Sequence, residues 1–131
     1  MIGRRLFDLT DGWHGRPAVG DHVFVVTHEA PTDWPHPDAP FTFVTDGLGS
    51  AIEQARTSGD REVSLTAGDL TGQALAAGLV DKVEMALVPV VFGQGVRFFG
   101  EFAEGPVLLE DPHVVVHGDR VVHLRYRVRK G

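Results

Sequence analysis

The feature that most limits the fold is a change of apolar period that repeats between residues 41 and 91. Phe41-Thr42-Phe43-Val44-Thr45 is a short run of strand-forming residues. Directly after it, Leu48, Ala51, Ile52 and Ala55 recur at i, i+3, i+4 and i+7, one stripe of a helix, with Glu53, Gln54 and Arg56 outside. Ser58-Gly59-Asp60 ends that helix. Glu62-Val63-Ser64-Leu65-Thr66-Ala67 reads as the next strand. Gly68 follows, then Asp69, a residue suited to cap a helix that runs to about Ala77 with Leu70, Ala74 and Leu75 inward. Gly78 before Leu79 reads as a C-terminal glycine cap with its apolar contact. Lys82 to Val91 is a long strand, interrupted or bent at Pro89. Strands alternating with helices favour a mainly parallel sheet, so a layered α/β arrangement is expected.

The flanks are less regular. Gly3 to Leu9 fits one short helix with Leu6, Phe7 and Trp13 turned inward, and Asp11 to Gly20 reads as loop. His22 to Thr27 is a buried strand, because four apolar residues run without a polar break. Ala30 to Pro40 has prolines at 31, 35, 37 and 40 and must be an exposed connection. Near the C-terminus, His113 to His117 and Val121 to Val128 flank Gly118-Asp119, a pairing typical of a tight hairpin. Val122, Leu124, Tyr126 and Val128 alternate there with His123, Arg125, Arg127 and Arg129, so one face points to the core. The expected fold is a single α/β domain over residues 1–131. It has a mainly parallel sheet, about three flanking helices and a C-terminal antiparallel hairpin.

Composition removes several classes of function. With 131 residues there is room for one core. A net charge of −6, with the cations mainly at Arg4/Arg5 and Arg125 to Lys130, argues against a nucleic-acid surface. No apolar run is long enough to cross a bilayer, and no signal core develops after Met1, so no membrane partner and a cytoplasmic location are expected. The absence of cysteine excludes disulfides, thiolate metal sites and a thiol nucleophile.

Ser64 to Gly100, SLTAGDLTGQALAAGLVDKVEMALVPVVFGQGVRFFG, resembles the signature of the bacterial deaminase-reductase C-terminal domain family of riboflavin biosynthesis, which has a dihydrofolate-reductase-like fold. The matching pieces are Gly68-Asp69, Gln73 to Asp81, and Leu87 to Phe99. Ile2 to Asp8 resembles the family's second-strand-to-helix junction, and His123-Leu124-Arg125-Tyr126 its last strand. The resemblance implies a further strand and helix ahead of that junction. The chain is therefore expected to be N-terminally incomplete, with an unpaired sheet edge that favours a homodimer. It also implies NADPH as cofactor and hydride transfer to a small pteridine-like or ribosylaminopyrimidine-like substrate. The alternative is a non-catalytic remnant acting as a dimeric interaction module.

Helix starts cradle phosphates with free backbone N–H groups and a positive dipole end. On that ground Gly3, Arg4 and Arg5, and Gly68, Asp69, Leu70 and Thr71, are expected to border the cofactor phosphates. Arg4 and Arg5 read equally as solvated surface residues, and Gly68-Asp69 as an ordinary capped turn. Gly68-Asp69 stands where the family has two glycines, and a carboxylate there costs phosphate binding unless it turns away to cap the helix. Thr27 and His28 match the family's adenosine side, with a cationic His28 facing a 2′-phosphate or simply solvent. No catalytic residue is named, because the resemblance places the proton donor ahead of Ile2. No metal site is expected. His113 and His117 share one side of a strand but lie far apart, with His123 across the turn.

Overall fold

The computed structural model describes every residue except Asp60 and Ala67, and the chain divides into two compact units, Met1–Thr66 and Ala67–Gly131. The first holds a parallel sheet, but its strands are those at 2–3, 23–26 and 41–44. The expected strand at 62–66 does not form and that at 82–87 pairs antiparallel, so the strand–helix alternation from 41 to 91 does not build it. Strand β1 (Ile2–Gly3) pairs with β2 (Val23–Val26), and β2 with β3 (Phe41–Val44), all parallel. Val23 lies opposite Phe41 and Val26 opposite Val44. Helix α1 (Arg4–Thr10) leaves β1 without an intervening loop, and α2 (Leu48–Thr57) follows β3.

The sheet has an apolar cluster on each face. Ile2, Phe7, Val23 and Val25 form one, with Leu6, Trp13, Trp34, Phe41 and Phe43 packed against it. Phe7 meets Trp34 and Phe43 edge-on, each with ring centroids 5.1 Å apart. Phe24, Val44, Ala51 and Ala55 form the other, with Met1, Val26 and Val63 beside it. Alternation along β2 assigns its residues to the two clusters. The stripe at 51, 52 and 55 is buried as the sequence indicates.

Two expectations change in this unit. Asp11 to Gly15 is not open loop but a tight left-handed turn, with φ of 50, 54, 48 and 54° from Asp11 to His14 and 79° at Gly15. Three of these residues carry side chains, and left-handed backbone costs roughly 1–2 kcal/mol at each. Packing offsets that cost. A Cβ on Gly12 would fall 2.6 Å from Phe7 and 2.8 Å from Trp34, so the turn lies flat on the aromatic cluster. Residues 62–66 are not a regular strand either. The Met1 ammonium donating to Ser64 O (2.6 Å) and Thr66 N–H donating to Met1 O (3.1 Å) tie them to the β1 edge. Ala67, the last residue of that expected strand, lies outside the described residues, as does Asp60 of the expected helix stop.

In the second unit, α3 (Asp69–Ala76) ends as expected. Leu79 N–H donates to Ala74 O (2.9 Å) and Gly78 N–H to Leu75 O (3.0 Å), with Gly78 at φ 70°, the doubly bonded glycine cap. Its start differs. Gly68, not Asp69, is the capping residue, and it supplies no side-chain cap. The strands here are antiparallel, in the order β4 (Lys82–Leu87), β6 (Val121–Arg127), β5 (Val114–Gly118). The described strands thus form two three-stranded sheets, one parallel and one antiparallel, where the sequence suggested one mainly parallel sheet. β4 stops before Pro89, which lacks the N–H to continue a ladder. The hairpin turn is Asp119-Arg120, one residue later than expected. Gly118 pairs with Val121, and Arg120 takes the positive φ of 55°.

Candidate functional site

In parallel sheets, ligands bind outside the carboxyl ends of the strands. In the first unit that border gathers five of the residues named from the sequence. β1 ends at Gly3 and runs into Arg4 and Arg5 of α1, while β2 ends at Val26 and runs into Thr27 and His28. Gly3 and Val26 are register partners, so the two exits are neighbours.

The chemistry at this border centres on Arg4. Its Nε donates to Asp8 Oδ1 (2.8 Å), and its Nη1 donates to Thr27 Oγ1 (3.2 Å) and Glu29 O (2.7 Å). Buried Thr27 donates in turn to Glu29 O (2.9 Å), and its N–H is held by Val44 O (3.1 Å). Arg4 therefore pins the exit of β2 to α1. Arg5 and His28 are exposed. Among the described residues nothing stands within 4 Å of where a Cβ on Gly3 would lie, which leaves the backbone open to a ligand. Sequence reasoning missed Asp8 and Glu29, whose roles appear only once Arg4 is seen to span 25 residues. It also missed Gly47, the cap of α2, which is equally open and has no side-chain cap. A glycine between a strand and a helical stripe was the available signal.

The second unit holds the other four named residues in the first turn of α3. Gly68 has φ 105° with open space where a Cβ would project, and Asp69 is exposed, Leu70 half-buried and Thr71 buried. The turn is already covered in part by its own unit. Gly68 N–H donates to Phe98 O (2.7 Å), a Cβ on Gly72 would fall onto the Phe99 carbonyl oxygen, and Gly100 abuts the Asp69 backbone and carboxylate. A phosphate here would need the open space that the described residues leave beside Gly68. The exposed Asp69 carboxylate, which no cap turns away, counts against one.

A cleft of about 670 Å³ lies elsewhere in the first unit. It is lined by Leu6, Trp13 and Val23 from one cluster and Phe24, Ala55 and Val63 from the other, so it wraps the end of the sheet where β2 begins. Asp21 and Arg61 form an ion pair at its rim. Beside it, burial holds the Met1 ammonium below its ordinary value of 8.0. The carboxyl-end border is the stronger ligand candidate on topology. No helix among the described residues is long and apolar enough to cross a membrane.

No protein-family model matches the chain, and no curated protein matches it significantly in sequence. Eighteen chains of solved structures do match it in fold. Among them, a crystal structure from Shewanella sp. PV-4, assigned by name to riboflavin biosynthesis, superposes with a TM-score of 0.78. The match covers 98% of this chain and 72% of that one at 20% identity. The likeness supports the expected fold in outline.

Proposed function

We propose that the chain is an NADPH-dependent reductase-family domain, acting in riboflavin biosynthesis by hydride transfer to a pteridine-like or ribosylaminopyrimidine-like ring. The observation that carries this reading is the fold likeness over 98% of the chain to a protein named for that pathway. Bound NADPH would supply the hydride, and the protein's share is binding and orientation. In the first unit, Gly3 offers open backbone and Arg5 an exposed guanidinium able to bond a phosphate, with Thr27 and His28 at the next strand exit. Arg4 acts as a positioning residue, because Asp8, Thr27 and Glu29 already hold it. In the second unit, Gly68, Asp69, Leu70 and Thr71 form the turn assigned to phosphate.

NADPH titration tests the reading. A cofactor present at about 100 times its Kd raises stability by roughly 2.7 kcal/mol, readable as a rise in Tm. Arg5→Ala is expected to weaken binding about tenfold or more, the worth of a charge-assisted bond. No protection at millimolar NADPH would overturn it. The same reading takes the protein as a homodimer, supported by the exposed apolar side chains of the second unit, Val91 (93% exposed) and Phe92 (80%) among them. Light scattering that shows a monomer would refute that part.

A further inference from the structure

We propose that Asp11, His14 and His36 bind one divalent transition-metal ion of the zinc, cobalt, nickel or copper class. Their ligating atoms, one from each side chain, all lie within 4.8 Å of one another. Asp11 Oδ2 and His14 Nδ1 are already 3.3 Å apart. In a tetrahedral site with bonds of about 2.0–2.1 Å, ligand atoms sit roughly 3.4 Å from each other. Small side-chain rotations therefore bring the trio to coordinating distance. Two imidazoles and a carboxylate suit these ions and are a poor match for magnesium or calcium, which prefer all-oxygen sets.

The local fold brings the three together. Asp11 and His14 are three residues apart in a left-handed turn with about three residues per turn, which sets their side chains on one side. His36 arrives from a distant part of the sequence and is held independently. Gly15 packs against it so closely that a Cβ there would lie 3.0 Å from both Cβ and Cγ of His36. Trp34 meets the His36 ring edge-on at 5.3 Å, and Ala39 N–H donates to His36 O (3.1 Å). Asp11 and His14 are exposed and His36 half-buried, so an ion can reach the trio and complete its shell with water. The hairpin histidines offer no rival. His117 is paired with Val122 and His123 with Val116, which puts His117 and His123 on opposite faces of the sheet.

Cobalt titration of tag-free protein, followed by visible absorption and reversed by zinc, tests the site. The expected result is saturation at one ion per chain, with no displacement by a large excess of magnesium. His14→Ala, His36→Ala and Asp11→Asn should each weaken binding at least about tenfold. His36→Gln keeps bulk against Gly15 and should do the same, so loss of folding in His36→Ala leaves the test intact. The double variant His113→Ala/His117→Ala should bind like the parent. Absence of saturable binding overturns the proposal, as does tight binding that survives His36→Gln or disappears in the hairpin variant.

Discussion

The two units bury their apolar residues very differently. The first encloses its sheet between two clusters, with Val25 and Ala51 wholly inaccessible and Val44 and Phe7 nearly so. The second buries Ala74, Leu75, Val80 and Val83 and leaves Leu87, Val88, Val90, Val91, Phe92, Val96 and Phe98 exposed along one stretch. The second unit is the richer in apolar residues, yet it leaves a bare surface where the first packs a core. The lesson is that strand and helix periods predict local structure well, whereas burial depends on whether another layer covers the face.

The largest expected effect is at Phe7. Phe7→Ala removes the ring that Trp34, Phe41 and Phe43 all touch and should cost about 3–5 kcal/mol in denaturant unfolding. Phe92→Ala, at an 80% exposed site, should change stability by less than about 0.5 kcal/mol. A comparable loss at both positions would erase the contrast, and a concentration-dependent loss at Phe92 would show a second copy covering it.

Gly72→Ala comes next and probes where the second unit is tight. Its new methyl meets the Phe99 carbonyl, so a destabilisation of about 1–3 kcal/mol is expected, despite the gain in helix propensity. A neutral result would mean that the 98–100 segment yields easily. His14→Gly works in the opposite direction. Relief of left-handed strain should stabilise the metal-free first unit by about 1 kcal/mol while removing a metal ligand.

The smallest effect is at the chain start. Burial makes the folded Met1 amine a weaker base than its unfolded value of 8.0, so the unfolded chain holds more protons just below that pH. Stability should rise with pH through that window and level off above 8.0. Tm measured across the window checks the slope, and acetylation of Met1 should abolish it.

How much was legible follows the same division. Helix α2 was readable because its stripe faces a sheet, and the end of α3 because Gly78 permits one particular cap. The start of α3 was misassigned by one residue, since Gly68 and Asp69 are both good caps and only the backbone angles choose between them. The turn at Asp11 to Gly15 was hidden. Tryptophan rarely adopts positive φ, and nothing in its neighbours announces it. The Arg4–Thr27 bond and the approach of His14 to His36 were hidden too, because local periodicity is blind to partners more than twenty residues away.

The left-handed turn also has a consequence in time. A backbone disfavoured at three successive side-chain-bearing positions (Asp11, Trp13 and His14, with only Gly12 between) gains nothing until Phe7 and Trp34 are in place to receive it. It is therefore among the last pieces of the first unit to lock and the first to let go. Amide protons near Arg16, whose N–H is held by Trp13 O, should exchange through a local opening well before those of β2.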